Sequence, residues 1–259
     1  MASNGATTIA PEDKVSVNES GKSLARVFGY LSLGLFVTAA VAFGLSLLFV
    51  STIGMVGEEM EGPVFMTYLI LLIVSFVANI IISFALSFAL RKAFTGSPST
   101  KVKVLYLVYA GLMGVMCSSL LVAGIDFWVI GEAFGITAIS FGVMFLIGYF
   151  SKANLNVIGA VASAFVMTIF LSLMVFWLVS LISGVSFYSL ALDIVISLIL
   201  SVFILILVAV NSYNMKHLIE AGAMSRSMEL YFAVDMYCDF MIVFLRVLRI
   251  LILVASKKD

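Results

Sequence analysis

Long apolar runs, broken by short polar segments, repeat along almost the whole chain. Seven of them are long enough to cross a bilayer, at about 27–53, 64–90, 104–124, 127–150, 156–183, 189–213 and 228–254. A helix crossing the hydrocarbon core needs roughly 20 apolar residues. Most of these runs lack the polar face that a surface helix of a soluble protein keeps, so each predicts a helix with lipid or other helices around it. Three breaks are very short: "GID" at 124–126, "SKAN" at 151–154 and "GVSFY" at 184–188. They make the helices they join antiparallel neighbours and leave no room for a domain outside the membrane. Function is therefore expected within the bundle. Residues 1–26 are polar and rich in small side chains, without an apolar core or a cleavage-like site. They read as a disordered cytoplasmic tail rather than a signal peptide, ahead of a single transmembrane domain over 27–255.

Composition sharpens this picture. The chain is 63% hydrophobic and 11% charged, with a mean hydropathy of +1.24, whereas a soluble domain is about half apolar and about a quarter charged. The fold class is all-α and polytopic, with the lipid bilayer as its surroundings. A formal net charge of +0 gives no sign of a nucleic-acid partner. Cys117 and Cys238 both lie inside apolar runs and read as small hydrophobes rather than a disulfide. Lysine and arginine fall in the tail (Lys14, Lys22, Arg26) and in every second loop (Arg91, Lys92, Lys101 and Lys103; Lys152; Lys216 and Arg226). The other loops have none, and the first of these is acidic, with Glu58, Glu59 and Glu61. This asymmetry predicts a cytoplasmic N-terminus. Seven crossings would then leave Lys257 and Lys258 outside, so the last segment either crosses against a mild charge penalty or re-enters.

That last segment, "MELYFAVDMYCDFMIVFLRVLRILILVA" at 228–255, contains Asp235, Asp239, Arg246 and Arg249. Each charge at the centre of a membrane helix costs roughly 2.5–3.5 kcal/mol by insertion scales. At about 100° per residue all four fall within a stripe roughly 80° wide. Such a stripe must turn away from lipid, which predicts a central helix with the others packed around it. Two readings are open: a structural ion-pair network with arginines snorkelling to an interface, or a site. Burial favours the protonated form of a carboxyl group, and a second carboxylate favours it further, so two aspartates one turn apart form a natural proton or cation site.

Polar side chains that could join them are few. Glu132 lies in "GEAFG" of the fourth segment, and Arg91 ends the second. Asn211, Ser212, Tyr213 and Asn214 close the sixth, and Asp193 opens it, where a solvated residue is expected. The single histidine, His217, has no ligand-spaced partner for a transition metal.

At these residues the chain resembles the Bax inhibitor-1 family, over roughly 100–252 and more weakly through the first two segments. The resemblance rests on "GEAFGITAISFGVMFLIGYFSKANLN", on "SYNMKHLIE" at the end of the sixth segment and on "ELYFAVDMYCDFMIVFLRVLRIL" in the last. It implies seven helices, six surrounding a central seventh, and a pH-sensitive calcium leak. It also implies that aspartates of helices six and seven share protons, while an arginine ending helix two latches the helix-six aspartate. By position the helix-seven aspartate is Asp239, with calcium as its ligand, the arginine is Arg91 and the helix-four glutamate is Glu132. The pattern is departed from at Tyr213-Asn214, where the family has Tyr-Asp. Asparagine cannot ionise, so proton sensing is expected to be weakened or moved, with Asp235 as substitute and Arg91 pairing with Asp239.

Other classes fit less well. An aspartyl intramembrane protease needs Tyr-Asp and Gly-x-Gly-Asp, where this chain has Tyr-Asn and Cys-Asp, and no histidine lies deep in the bundle for a serine protease. No enzyme activity and no cofactor are expected. A secondary transporter would show broken helices or repeats, but Pro11, Pro63 and Pro98 all lie outside the segments. Glycines 111, 114, 135, 142, 148 and 159 read as close-packing positions. A regulator that binds a membrane protease or another membrane protein needs no ion path and is the alternative. The reading is a calcium leak of a bacterial plasma membrane, moving calcium and responding to protons.

Overall fold

The structure, a computed structural model, describes the backbone of residues 12–56, 63–93, 100–122, 124–183 and 190–255, and the side chains of 21–49, 66–90, 100–122, 124–173, 192 and 194–254. Among the described residues there are seven helices and no strand: α1 (Glu12–Val56), α2 (Pro63–Ala93), α3 (Thr100–Val122), α4 (Phe127–Phe150), α5 (Asn156–Ser183), α6 (Leu190–Glu220) and α7 (Arg226–Ala255). All-helical structure is what hydrocarbon demands, because a helix satisfies its backbone N–H and C=O groups internally. The helices follow the seven apolar runs closely, with two differences. Helix α1 begins at Glu12, inside the expected tail, and Ser23 and Val27 are already buried. Helix α6 runs on to Glu220, because Met215 and Ile219 continue its buried face. The acidic first loop, "GVSFY", residues 1–11, Lys257 and Lys258 lie outside the described residues.

The turns use local chemistry. Helix α3 ends at Gly124 (φ +76°), with the N–H of Gly124 bonded to Leu121 and that of Ile125 to Leu120. Helix α6 ends the same way at Gly222 (φ +64°), with Gly222 bonded to Ile219 and Ala223 to Leu218. This pair of bonds closes a helix only if the terminating residue adopts a left-handed backbone, which glycine does without steric penalty. Asp126 caps α4 by accepting from the Trp128 N–H at 3.1 Å, and Asn154 accepts from the Asn156 N–H at 3.0 Å at the start of α5.

Helices α1–α6 each contain a stretch long and apolar enough to span a membrane. Their outer faces carry exposed Phe36, Phe88, Ile139 and Phe170, an apolar belt that suits lipid and that a water-soluble monomer would not tolerate. Helix α7 is too charged to belong to that set and is instead the central helix. It packs on α1, α4 and α6 and touches α2, and its Tyr237 meets Tyr106 and Tyr109 of α3. Leu230, Met236, Tyr237, Val243 and Leu248 on it are almost completely buried. Helix α5 packs against α6. Lipid tails are as apolar as leucine, so association here rests on close packing and interhelical hydrogen bonds.

The close-packing glycines divide into two groups. A methyl group at Gly148 would collide with the Ala209 carbonyl, one at Gly114 would lie 2.6 Å from the Thr38 carbonyl oxygen, and one at Gly159 2.6 Å from Val210 Cγ1. These three set the α4–α6, α1–α3 and α5–α6 approaches. Gly111, Gly135 and Gly142 face open space instead, so the expectation of a packing role fails for them. Buried hydroxyls bond back to their own helix: Thr137 to Ala133 at 2.8 Å and Ser212 to Val208 at 2.7 Å.

Candidate functional site

Helices α6 and α7 are antiparallel neighbours joined by the short turn at Gly222, which brings the end of α6 beside the first half of α7. Asp235 and Asp239, one turn apart on α7, project towards α6. There the side-chain amide of Asn211 donates to Asp235 Oδ2 at 2.7 Å and, at the longer distance of 3.4 Å, to Asp239 Oδ2. An amide nitrogen carries two hydrogens, so one asparagine serves both carboxyl groups. Both aspartates are half-buried. The resulting cluster has two acids and one neutral amide, close enough for the acids to act on each other electrostatically.

Asn211, rather than Asn214, is therefore the α6 residue that joins the aspartates. Asn214 lies three residues further along, half-buried, with no hydrogen bond to either acid among the described residues. Tyr213 is buried, with its ring edge-on to His217 at 4.4 Å. Arg246 is half-buried two turns beyond Asp239 and donates to Ser197 of α6 at 3.4 Å, while Arg249 is exposed. Glu132 is exposed on α4 and takes no part in the cluster. The Arg91 side chain lies outside the described residues, as does that of Asp193. Among the described residues, no three His, Cys, Asp or Glu side chains converge. A hard cation such as calcium takes 6–8 oxygens. The two aspartates supply only part of such a shell, and Asn211 turns N–H groups towards them.

Two further arrangements were not anticipated from the sequence. Glu229, in the first turn of α7, is 1% exposed and forms a two-pronged ion pair with Arg26 of α1, at 2.7 and 2.8 Å. The signal was present, since Glu229 is a fifth charge in the last segment, but its partner is 203 residues away. Where α7 meets α1 and α3, the Tyr237 hydroxyl lies 2.6 Å from Thr38 Oγ1, Tyr106 donates to the Tyr30 carbonyl at 3.0 Å, and the Cys238 thiol donates to the Tyr109 hydroxyl at 3.7 Å. The spacing of Tyr106 and Tyr109 was the clue to an inward tyrosine face on α3. The central helix thus has an acidic side against α6 and a hydroxyl side against α1 and α3.

An uncharacterized protein of Borreliella burgdorferi is 27% identical over 246 residues, covering 93% of this chain and 95% of its own length. The family model described as inhibitor of apoptosis-promoting Bax1 matches residues 21–256, from within α1 through α7. The chain belongs to the Bax inhibitor-1 family and is a multi-pass membrane protein.

Proposed function

We propose that this protein is a calcium leak pathway, with Asp235 and Asp239 as the carboxylates that a permeating cation and protons compete for. The observation that carries this reading is the sharing of one Asn211 amide by both acids at the seam of α6 and α7. Two carboxylates so close repel when both are ionised, and a proton or a divalent cation relieves the repulsion. Position 214, where the family resemblance implies an aspartate, holds an asparagine that cannot ionise. Asp235 restores a second carboxylate from α7 itself, so proton sensing is moved to one helix and weakened. A membrane aspartate in a bundle interior generally marks an ion or proton path. Neither an enzyme activity nor a cofactor belongs to this reading. The charge asymmetry of the loops supports a cytoplasmic N-terminus, and the bacterial relative supports a bacterial plasma membrane.

The test is calcium flux into proteoliposomes between roughly pH 5 and 8, comparing wild type with Asp239→Asn and Asp235→Asn. A pH-dependent flux that collapses in Asp239→Asn is expected. Flux equal in all three proteins sinks the assignment to these acids. Absence of flux in wild type favours a regulator that acts by binding another membrane protein.

A further inference from the structure

A cavity of about 400 Å³ lies between α1, α3, α4 and α7, on the opposite side of the central helix from the acidic cluster's partner α6. Its floor is Met241 and Phe240 of α7, both almost completely buried, and Cys117 lies in its α3 wall. Its rim carries Phe43, Phe127 and Phe134, which are 50%, 65% and 46% exposed on the lipid-facing surface. Among the described residues, no charged side chain lines it. The Thr38 hydroxyl, its main polar feature, is already engaged by the Gly34 and Ala110 carbonyls and the Tyr237 hydroxyl. The volume falls in the range of ligand pockets, roughly 300–1,000 Å³.

We propose that this cavity holds one acyl chain of a bilayer phospholipid. Water finds no group to bond in it, and an empty cavity forfeits the dispersion contacts of its lining. A polar or charged ligand would be stripped of hydration without replacement. The medium against the rim is hydrocarbon at bulk concentration, so mass action favours the apolar chain. The cavity reaches the end of α3 at Leu121 and the start of α4 at Phe127, beside the turn at 124–126. A chain entering there keeps its headgroup near the membrane surface. This inference is independent of the proposed calcium pathway.

The test is native mass spectrometry of full-length protein released from phosphatidylglycerol–phosphatidylethanolamine vesicles. Ala39 lines the cavity and is exposed, so Ala39→Phe fills it; Ala40→Phe places the same ring on an exposed position of α1 outside the lining. Wild type and Ala40→Phe are expected to retain one phospholipid, and Ala39→Phe to retain it roughly tenfold less. Equal retention in Ala39→Phe, or none in wild type, overturns the proposal. Should Ala39→Phe fail to fold, alkylation of wild-type Cys117 by N-ethylmaleimide decides. Delipidation is expected to speed it and added phospholipid to slow it, with Cys238 unchanged. A Cys117 rate indifferent to lipid overturns the proposal.

Discussion

Asn211 of α6 donates to Asp235 of α7 across 2.7 Å, and the same amide extends to Asp239. One neutral side chain therefore holds two acids of a membrane helix in a single cluster. Replacing it with leucine strands both carboxyl groups without that donor. We expect Asn211→Leu to destabilise by about 1–3 kcal/mol, the usual effect of an orphaned buried polar group. Asn214→Ala is expected to stay within about 0.5 kcal/mol, because Asn214 does not reach the acids. Thermal unfolding in detergent measures both, and flux against pH should change in the first variant far more than in the second. Equal losses would mean that Asn214 also joins the cluster.

The pair of Arg26 and Glu229 ties the N-terminal half of α1 to the first turn of α7. Removing one partner of a buried pair costs about 3–5 kcal/mol. The Arg26 side chain is 43% exposed, and solvent at that end screens the interaction, so Arg26→Met is expected to cost less, about 2 kcal/mol. The double variant Arg26→Met with Glu229→Leu should recover much of the loss, because no buried charge is then left alone. A double variant as unstable as the sum of the singles would show that the two side chains act separately.

Gly148 and Gly142 stand on the same helix with opposite surroundings. Alanine at 148 pushes α4 off the Ala209 backbone and is expected to cost about 1–3 kcal/mol, as overpacking does. Alanine at 142 meets nothing and should be neutral or stabilising by up to about 1 kcal/mol through helix propensity. Unfolding midpoints of the two variants, measured side by side, check the contrast; similar midpoints would refute it.

Asn79 is buried on α2, and its amide nitrogen has no hydrogen-bond partner among the described residues. An unpaired buried donor is a standing penalty, and replacing it with an apolar group of similar size removes that penalty. Asn79→Leu is accordingly expected to be neutral or to stabilise the protein. A loss of more than about 1 kcal/mol in the unfolding assay would show that the amide does satisfy a bond in the folded protein.

The number and order of the helices were legible because hydrocarbon thickness fixes span length and because polar residues are excluded from lipid-facing positions, whereas the start of α1 and the end of α6 run beyond the apolar runs. The centrality of α7 was legible for the same reason: its charges could not face lipid. Asp235 and Asp239 stood out as a pair because their spacing of four is one helical turn. What the sequence could not decide is which side chain of another helix meets them. Asn211 and Asn214 are both plausible by composition, and the crossing of α6 over α7 selected Asn211. Glu132 resembled a family position yet is exposed, and Glu229 drew no notice yet is the most deeply buried acid among the described residues. Half of the supposed packing glycines proved to face open space, because whether a glycine is needed depends on the neighbouring helix's path. Periodicity is a property of one helix and can be read along the chain. Contacts between helices distant in sequence depend on rotation and crossing angle, which only the packed bundle sets.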